Sequence, residues 1–552
     1  MKKLISLTLV LVMLFSLCIM PAAANSENEK REISLYGSQV PIVSIYGDGE
    51  PLYDKDGNKV FHFSEMLGMF GGSEEGALSE AVINILMPFL LEGVVYDEWD
   101  NYYDALEKEI GELFEACRLD KNGENYNGVD ISQERKDLMT NLLSVDAKEI
   151  NGFYAFEDYI FYYDWRLDPL ETADRFHEHI QKVKAITGSD KVAVIIRCLG
   201  SSVVMAYISK YGLDDIHGIS IDASVANGAE IISEPISGKF TVDANAINRM
   251  IKDLDALGMF SVDSFVTSSI DLLSKSGAID SVIGVVKEEL YGKIVKGVTS
   301  ALALSTFFTW PNYWSCVTED DYEDALLYVF GPEGSEKREE YKGLISKLDN
   351  YNREVRMKTN ELMSSIKKNG CNLCIISKYG LQIAPVIESR NELGDQFVTA
   401  KRSSYGATTG NVYNTLSDEY INQRIAENKG KYISPDKQID ASTCLYPDCT
   451  WFIKGSSHSA WNDFENALLY TVATAEKQLT VDDFDFSQFI VYDNETGITS
   501  SMTTENCDSE NWKADEKLEN PSNKDEKLVS FLQSLLVWLT AMLKFVVNLI
   551  NK

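Results

Sequence analysis

The chain has 552 residues, 45% of them hydrophobic, and a formal net charge of −34 at pH 7. A chain of this length and apolar content can bury one large α/β core with sizeable insertions, or two separate cores. The excess of carboxylates excludes nucleic acid as an expected partner, because binding a phosphate backbone requires a basic surface.

The first 24 residues have the pattern of a secretory signal peptide. Lysines at positions 2 and 3 precede an apolar run over residues 4–20, and small alanines follow at 22–24. A basic segment, an apolar segment and small residues in this order direct export and are then removed. We therefore expect an exported protein, either secreted or held at the cell surface, that begins near Asn25.

The cysteines beyond this leader suggest one disulfide and no metal site. Cys444 and Cys449 flank a four-residue turn, and export to an oxidising space favours a local disulfide between them. Cys371 and Cys374 have the spacing of a redox or zinc half-site, but no second such pair accompanies them. Entry to a buried strand over residues 371–377 is the favoured interpretation. We predict neither a metal nor a cofactor.

The first element predicted after the leader is a buried strand at residues 41–46, which stops at a glycine-rich turn over 47–49. It opens the N-terminal part of an α/β core, predicted over residues 25–224. Residues 50–150 form an acidic, partly helical insertion into this part of the core.

Strand-like and helical segments then alternate along the chain. The pattern predicts a strand-like run, a helix, a strand, a helix and a strand, over residues 154–164, 169–186, 191–196, 203–211 and 218–223. Strands joined by crossover helices, with one tight strand-to-helix turn, are typical of a doubly wound α/β fold with a mostly parallel sheet.

A long helix-rich stretch over residues 225–368 interrupts this alternation. We interpret it as an inserted helical cap, or alternatively as a helical subdomain with no gating role. The core is predicted to resume over 369–497, and its last helix lies around 461–476. Residues 498–527 are rich in Ser, Asn, Asp, Glu and Lys, a composition that predicts a flexible linker.

The C-terminal segment, residues 528–552, is predicted to be a hydrophobic or amphipathic helix. Residues 528–550 are long enough to span a bilayer and carry one charge, Lys544. Their polar residues fall close to a single helical stripe, which favours binding to a membrane surface or a partner helix over spanning. Docking onto the protein's own core is the third interpretation.

A candidate nucleophile lies at the tight turn that follows the strand predicted over 191–196. Residues 196–200 read Ile-Arg-Cys-Leu-Gly, which follows the pattern G-x-S-x-G of the α/β-hydrolase nucleophile turn. Gly200 keeps the second glycine, Ile196 replaces the first, and Cys198 replaces the serine. Small flanking residues let such a turn bend sharply, so that the nucleophile is exposed to substrate.

A second motif lies one helix upstream, where residues 163–169 read Tyr-Asp-Trp-Arg-Leu-Asp-Pro. This tract, with Asp164, Trp165 and Arg166, resembles the Y-D-W-R-x-x-P segment of lecithin:cholesterol acyltransferases and lysosomal phospholipase A-type lipases. The resemblance is clear over residues 155–212. It implies an α/β-hydrolase fold and an acyl hydrolase or acyltransferase that acts on lipid-like esters or thioesters.

Three further tracts, at residues 46–49, 394–398 and 455–458, resemble that family in its order. In the family the acid lies in a G-D-x-x-V-like tract, which this chain matches at Asp395. The histidine comes last, which fits His458. The resemblance therefore implies a Cys198–His458–Asp395 triad.

The proposed chemistry needs Cys198 as a thiolate, which an adjacent imidazole generates by taking the thiol proton. Arg197 would lower the thiol pKa further if its side chain turned toward the sulfur. The backbone N–H of Leu199, together with one from the loop at Gly47 and Asp48, is expected to hold the oxyanion.

A competing interpretation is a catalytically degenerate α/β-hydrolase fold that serves as a cell-surface binding protein. Three departures favour it: cysteine replaces serine at 198, isoleucine replaces the first glycine at 196, and arginine stands at 197 where lipases usually carry histidine. In that case Cys198 is a small buried hydrophobic residue without chemistry.

Overall fold

The computed structural model describes residues 40–47, 50–61, 98–143, 149–150, 153–154, 159–239, 306–383, 387–460, 462–493 and 496–507, together with the single residues 84, 88, 297 and 301. The predicted signal peptide, most of the predicted linker, the C-terminal helix and Asp48 lie outside the described residues. So does most of the stretch 240–305, which includes apolar parts of the predicted cap.

A seven-stranded sheet forms the centre of the fold. Its strands lie side by side in chain order: β1 (Ile42–Ile45), β2 (Val192–Arg197), β3 (Ile216–Asp222), β4 (Asn372–Tyr379), β5 (Thr450–Lys454), β6 (Phe489–Asp493) and β7 (Ile498–Ser501). Strands β1 to β6 pair in parallel, and β7 pairs antiparallel with β6. Phe161 forms a single parallel bridge with Ile45 at the other edge of β1.

Both faces of this sheet are covered, which explains why its inner strands are buried almost throughout and mostly apolar. In β2, Val194 and Ile196 belong to one core cluster, whereas Ala193 and Ile195 belong to a second. Because alternate side chains of a strand point to opposite faces, the two clusters lie on opposite sides of the sheet. The structure therefore confirms the predicted α/β class with a mostly parallel central sheet.

Four helices matter for the site: α1 (Pro169–Thr187), α2 (Gly200–Tyr211), α3 (Glu230–Ile236) and α4 (Asp463–Thr474). Helices α1 and α2 contribute to the first core cluster, and α4 contributes Leu468, Leu469 and Val472 to the second. In the described ranges, the other α-helices are Asp100–Phe114, Gln133–Leu142, Pro311–Trp314, Tyr322–Phe330, Glu336–Glu340, Lys342–Glu354, Thr359–Lys368, Ala400–Ser403 and Asp418–Ala426.

Local sequence signals fix both ends of α1. The Asp168 side chain caps the helix by accepting a hydrogen bond from the N–H of Leu170 at 2.9 Å. Pro169 occupies the first helical position, where its missing N–H costs nothing. Gly188 ends the helix in left-handed backbone with φ of 68°.

The remaining strands are short and lie outside the central sheet. Lys59–Phe61, Leu52–Tyr53 and Asp130–Ile131 form a three-stranded antiparallel sheet within the insertion. The other antiparallel pairs join Glu149–Ile150 to Phe153–Tyr154, Leu381–Gln382 to Leu393–Gly394, and Thr408–Thr409 to Ile439–Asp440.

The motif residues Asp164, Trp165 and Arg166 anchor the insertion to the core. Arg166 and Asp164 form a buried ion pair with an N–O distance of 2.7 Å. The Arg166 guanidinium also donates to the backbone oxygens of Cys117 and Val129 inside the insertion. Trp165 Nε1 donates to a backbone oxygen at the start of the insertion at 3.0 Å. These residues therefore stabilise the junction between the insertion and the sheet.

Two strands, β6 and β7, follow α4, the last helix of the predicted core. Residues 498–501 form β7 and so belong to the sheet rather than to the predicted linker 498–527, and Met502 and Cys507 beyond them are buried. The prediction was wrong because β7 is an edge strand, and edge strands accommodate the polar residues that this segment contains. Within the predicted strand-like run 154–164, the described residues 159–164 form no strand beyond the single bridge of Phe161.

Within the described ranges, no helix combines the length and the apolar character that crossing a membrane requires.

Candidate active site

Cys198 lies at the turn between β2 and α2, in an unusual backbone conformation. Its φ is 47°, a left-handed value that few residues other than glycine adopt and that costs free energy. Its N–H donates to the backbone oxygen of Asp222 at 3.2 Å, and its carbonyl accepts from the N–H of Ser201 at 2.9 Å as α2 begins. The chain thus turns sharply from strand to helix at the predicted nucleophile.

Close backbone approach explains the glycine at position 47, in the loop that follows β1. A Cβ at Gly47 would lie 3.1 Å from Cys198 Sγ and 3.2 Å from the backbone nitrogen of Leu199. The loop after β1 therefore passes directly beside the sulfur and beside one of the two predicted oxyanion donors. Asp48, predicted in the same loop, lies outside the described residues.

Ile196, which replaces the first glycine of the G-x-S-x-G pattern, lies in β2 and not in the turn. It pairs with Ile45 on β1 and Ile221 on β3, and its side chain is fully buried. Its β-branched side chain therefore packs within the sheet.

Replacing Gly200 by alanine should destabilise the fold. A Cβ at this position would lie 2.7 Å from the backbone oxygen of Ile45, and a carbonyl of a paired strand cannot turn away. We expect the free energy of unfolding to fall by about 1–3 kcal/mol, the usual cost of overpacking. Urea denaturation measures this change, and an unchanged midpoint would show that β1 and α2 separate without cost.

His458 and Asp395 are in direct contact. His458 Nδ1 and Asp395 Oδ2 are 2.8 Å apart, and the backbone N–H of His458 donates to the backbone oxygen of Asp395 at 2.9 Å. Asp395 Oδ1 accepts from the N–H groups of Phe397 and Val398 at 3.0 and 2.9 Å. Because a carboxylate only accepts, this contact assigns the proton to Nδ1 and leaves Nε2 with its lone pair.

The remaining ring nitrogen of His458 is available for chemistry. The residue is 5% exposed, and its buried Nε2 has no hydrogen-bond partner among the described residues. A buried polar atom without a partner is costly, and such atoms in native structures call for an explanation. The Phe397 ring lies 4.7 Å from the imidazole ring and limits its movement.

The three predicted residues lie beyond the carboxyl ends of parallel strands. Cys198 follows β2, Asp395 follows β4 and His458 follows β5. Arg197 Nη1 also reaches the backbone oxygen of Ala460 at 3.5 Å, which joins the nucleophile turn to the loop that carries His458. In open α/β sheets this edge is where ligands bind.

Four buried charged residues lie beneath this edge, and we call Arg197, Asp222, Lys378 and Glu465 the charge cluster. Asp222 Oδ2 forms an ion pair with Arg197 Nη1 at 2.7 Å and accepts from Lys378 Nζ at 3.1 Å, and Lys378 Nζ lies 3.0 Å from Glu465 Oε2. Burial alone would lower the pKa of Lys378, but the carboxylates of Asp222 and Glu465 raise it. The guanidinium of Arg197, the residue before Cys198, is held by its ion pair with Asp222.

The charge cluster was not predicted from the sequence. Its one visible signal is the presence of Lys378 and Asp222 at the ends of otherwise apolar strands, where isolated charges are costly unless they are paired.

The helix α3 clamps both flanks of the tract that carries Asp395. The Glu234 carboxylate accepts from the backbone N–H of Glu388 and from the hydroxyl and N–H of Ser389. Glu230, one turn earlier, accepts from Thr399 Oγ1 at 3.1 Å and from Arg402 Nε at 3.0 Å. The acid of the predicted triad is thus held by contacts before and after it.

Glu234 should make stability depend on pH. Burial raises its pKa from 4.5 to about 7, against the lowering effect of its hydrogen bonds to residues 388 and 389. The folded protein therefore keeps a proton that the unfolded chain releases. This contribution to stability is complete below pH 4.5 and is lost as the pH rises toward about 7.

Glu234→Gln should remove this dependence, because glutamine keeps the shape and an acceptor oxygen but does not titrate. Between pH 4.5 and 7 the wild type should lose stability relative to the variant by at most ~1.4 kcal/mol per pH unit. Urea denaturation of both proteins across this range gives the comparison. Parallel curves would show that Glu234 is ionised throughout.

The predicted disulfide between Cys444 and Cys449 is absent, and both sulfurs are free thiols. Cys444 belongs to the core cluster around Tyr379, whereas Cys449 belongs to the first, largest cluster and accepts from Lys367 Nζ at 3.3 Å. The two side chains therefore enter different parts of the core, which the turn-flanking spacing did not reveal. Cys371 and Cys374 are buried at the start of β4, as predicted.

The part of the chain that the structure describes contains no group of three or more histidine, cysteine or acidic side chains arranged to hold a metal ion.

No protein-family model matches the chain, and no curated protein matches it. Among solved structures, the chain is similar to one described as "The crystal structure of Tle4-Tli4 complex". The similarity covers 61% of this chain and 75% of the other, with 12% sequence identity and a TM-score of 0.22. A score of this size carries no argument about function, so the activity must be argued from the chain's own residues.

Proposed function

We propose that the chain is an exported, lipase-like acyl hydrolase or acyltransferase that uses Cys198, His458 and Asp395 as its catalytic triad. The observation that carries the proposal is the left-handed Cys198 at a strand-to-helix turn, at the same sheet edge as a histidine oriented by Asp395. Its substrates are lipid-like esters or thioesters, and it needs neither metal nor cofactor.

The order of the strands supports an α/β-hydrolase fold for this proposal. The nucleophile, the acid and the histidine follow β2, β4 and β5 in chain order, which is the order that this fold uses. Its nucleophile turn also strains the residue that reacts, as the φ of Cys198 indicates. The helical stretch 225–368 is proposed as the cap.

Acylation begins when His458 Nε2 removes the thiol proton of Cys198. The thiolate attacks the carbonyl carbon of the substrate, and the oxyanion of the tetrahedral intermediate is held by the N–H of Leu199 and one from the loop at Gly47. Asp395 keeps the imidazole in the required tautomer and stabilises its positive charge. The imidazolium then protonates the departing alcohol or thiol, which leaves a thioester on Cys198.

Deacylation completes the reaction in either of two ways. His458 removes a proton from water or from an acceptor alcohol, whose oxygen attacks the thioester carbonyl, and Cys198 leaves as a thiolate that is reprotonated. Water gives hydrolysis, whereas an alcohol gives acyl transfer. The same triad serves both outcomes, so the acceptor decides between them.

Turnover of short-chain activated esters and thioesters tests this function. The mature protein should hydrolyse such substrates, Cys198→Ala should abolish turnover, and iodoacetamide should alkylate Cys198 rapidly near neutral pH because a thiolate is the reactive form. No turnover together with slow alkylation would instead support the binding-protein interpretation.

The C-terminal segment 528–550 is proposed to hold the protein at a membrane surface or on a partner helix. Deleting the residues after Asn520 should therefore release the protein from membranes while leaving its melting temperature unchanged. Flotation with lipid vesicles and thermal melts of both forms measure the two effects. A large loss of stability would place the segment in the core.

A further inference from the structure

The charge cluster holds the loop of His458 on both sides of the histidine. Two residues before it, the Ser456 hydroxyl donates to Glu465 Oε1 at 2.7 Å. Two residues after it, the backbone oxygen of Ala460 accepts from Lys378 Nζ at 2.9 Å. Lys378 and Glu465 therefore hold the loop that carries the imidazole at two points, one on each side of His458.

The same cluster also fixes the nucleophile turn. Arg197 precedes Cys198 directly, and its guanidinium pairs with the Asp222 side chain at 2.7 Å. The backbone oxygen of Asp222 accepts from the N–H of Cys198 at 3.2 Å. Two loops that are far apart in the chain are thus both attached to one set of buried charges.

Stability alone gives little reason for such a cluster. Lys378 and Glu465 are fully buried, and removing two charges from water costs about as much as their attraction returns. An apolar pair of the same size would often serve folding equally well. What an apolar pair cannot do is bind the Ser456 hydroxyl and the Ala460 carbonyl.

We propose that Lys378 and Glu465 are positioning residues that direct His458 Nε2 toward Cys198. The inference rests on the proposed function, because it concerns the geometry of that triad. The cluster pairs two cations with two anions, so it orients the loop without adding net charge beside the thiol.

A charge-neutral double variant separates positioning from stability. Lys378→Met leaves the buried Glu465 without its cation, and Glu465→Met leaves two basic side chains around the single carboxylate of Asp222, so each variant should lower the melting temperature. The double variant K378M/E465M removes both charges, so its melting temperature should recover. Its iodoacetamide labelling of Cys198 at pH 7 should still be at least ~10-fold slower than in the wild type, because thiolate formation depends on the histidine.

The pH profile of labelling gives a second readout that a purely structural role would not change. In the double variant the midpoint should move up toward the ordinary thiol value of ~8.5. Ser456→Ala is a milder variant, since it removes one hydroxyl and leaves no charge unpaired. It should shift the profile in the same direction with a smaller loss of rate.

Arg424→Met is the matched control, because it breaks a different ion pair, the one between Arg424 and Asp440. The other contacts of Arg424 are with Tyr420 and Glu427 and not with the loop of His458. It should leave the labelling profile as in the wild type. A double variant with recovered stability and a wild-type profile, or a Ser456→Ala variant with one, would overturn the positioning role while the triad stands. Slow labelling of the wild type itself, unaffected by His458 variants, would instead reject the proposed function.

Discussion

Replacing His458 by asparagine should lower kcat/KM for a short-chain activated ester by about 10²- to 10⁴-fold, the usual contribution of a general base. Asparagine cannot take the thiol proton, so Cys198 would react only through the small fraction of thiol that ionises on its own. Iodoacetamide labelling should accordingly slow at pH 7 and recover as the pH approaches ~8.5.

His177→Asn provides the matched control for this substitution. His177 lies on α1, and its ring stacks on Tyr211 at a centroid distance of 4.0 Å. The same chemical change there should leave both rates within about twofold of the wild type, because His177 has no part in proton transfer. Equal losses in the two variants would point to a general effect on folding instead.

Asp395→Asn should reduce turnover by about 10⁴-fold, as expected when a triad histidine is held in the wrong tautomer. The structure determines how the new amide must lie. The N–H groups of Phe397 and Val398 donate to Oδ1, so the amide oxygen has to occupy that position. Its NH₂ group then faces His458 Nδ1, which must accept the hydrogen bond.

An accepting Nδ1 places the imidazole proton on Nε2, where the base is needed. The variant should therefore fold as the wild type does and fail in proton transfer. Thermal melts and steady-state kinetics at pH 7 measure both properties. Near-normal turnover in a well-folded Asp395→Asn protein would show that the orientation of His458 has no bearing on catalysis.

The nucleophile turn was predictable because its signals are local. The β-branched run of β2 and the motif at 196–200 occupy consecutive positions, and the resemblance to lipases placed Asp395 and His458 by motif alone. Helix α1 was predictable for the same reason, since Asp168, Pro169 and Gly188 mark its ends.

What the sequence did not reveal depends on distant contacts. The predicted strand at 371–377 stops short of Lys378, because a lysine normally ends a buried run. In the structure β4 continues to Tyr379, since Asp222 and Glu465 neutralise that lysine. The missing disulfide has a similar cause, because the direction in which Cys444 and Cys449 point depends on the two cores around them rather than on their spacing.

Trapping the acyl-enzyme tests the central claim most directly. The mature protein is mixed with a short-chain activated ester, quenched in acid within the first turnovers, digested and analysed by mass spectrometry. The peptide that contains Cys198 should carry the acyl mass, the adduct should be lost on treatment with neutral hydroxylamine as thioesters are, and Asp395→Asn should form it far more slowly. An unmodified Cys198 peptide from a protein that hydrolyses the ester, or an acyl group on another residue, would contradict the assignment of Cys198 as the nucleophile.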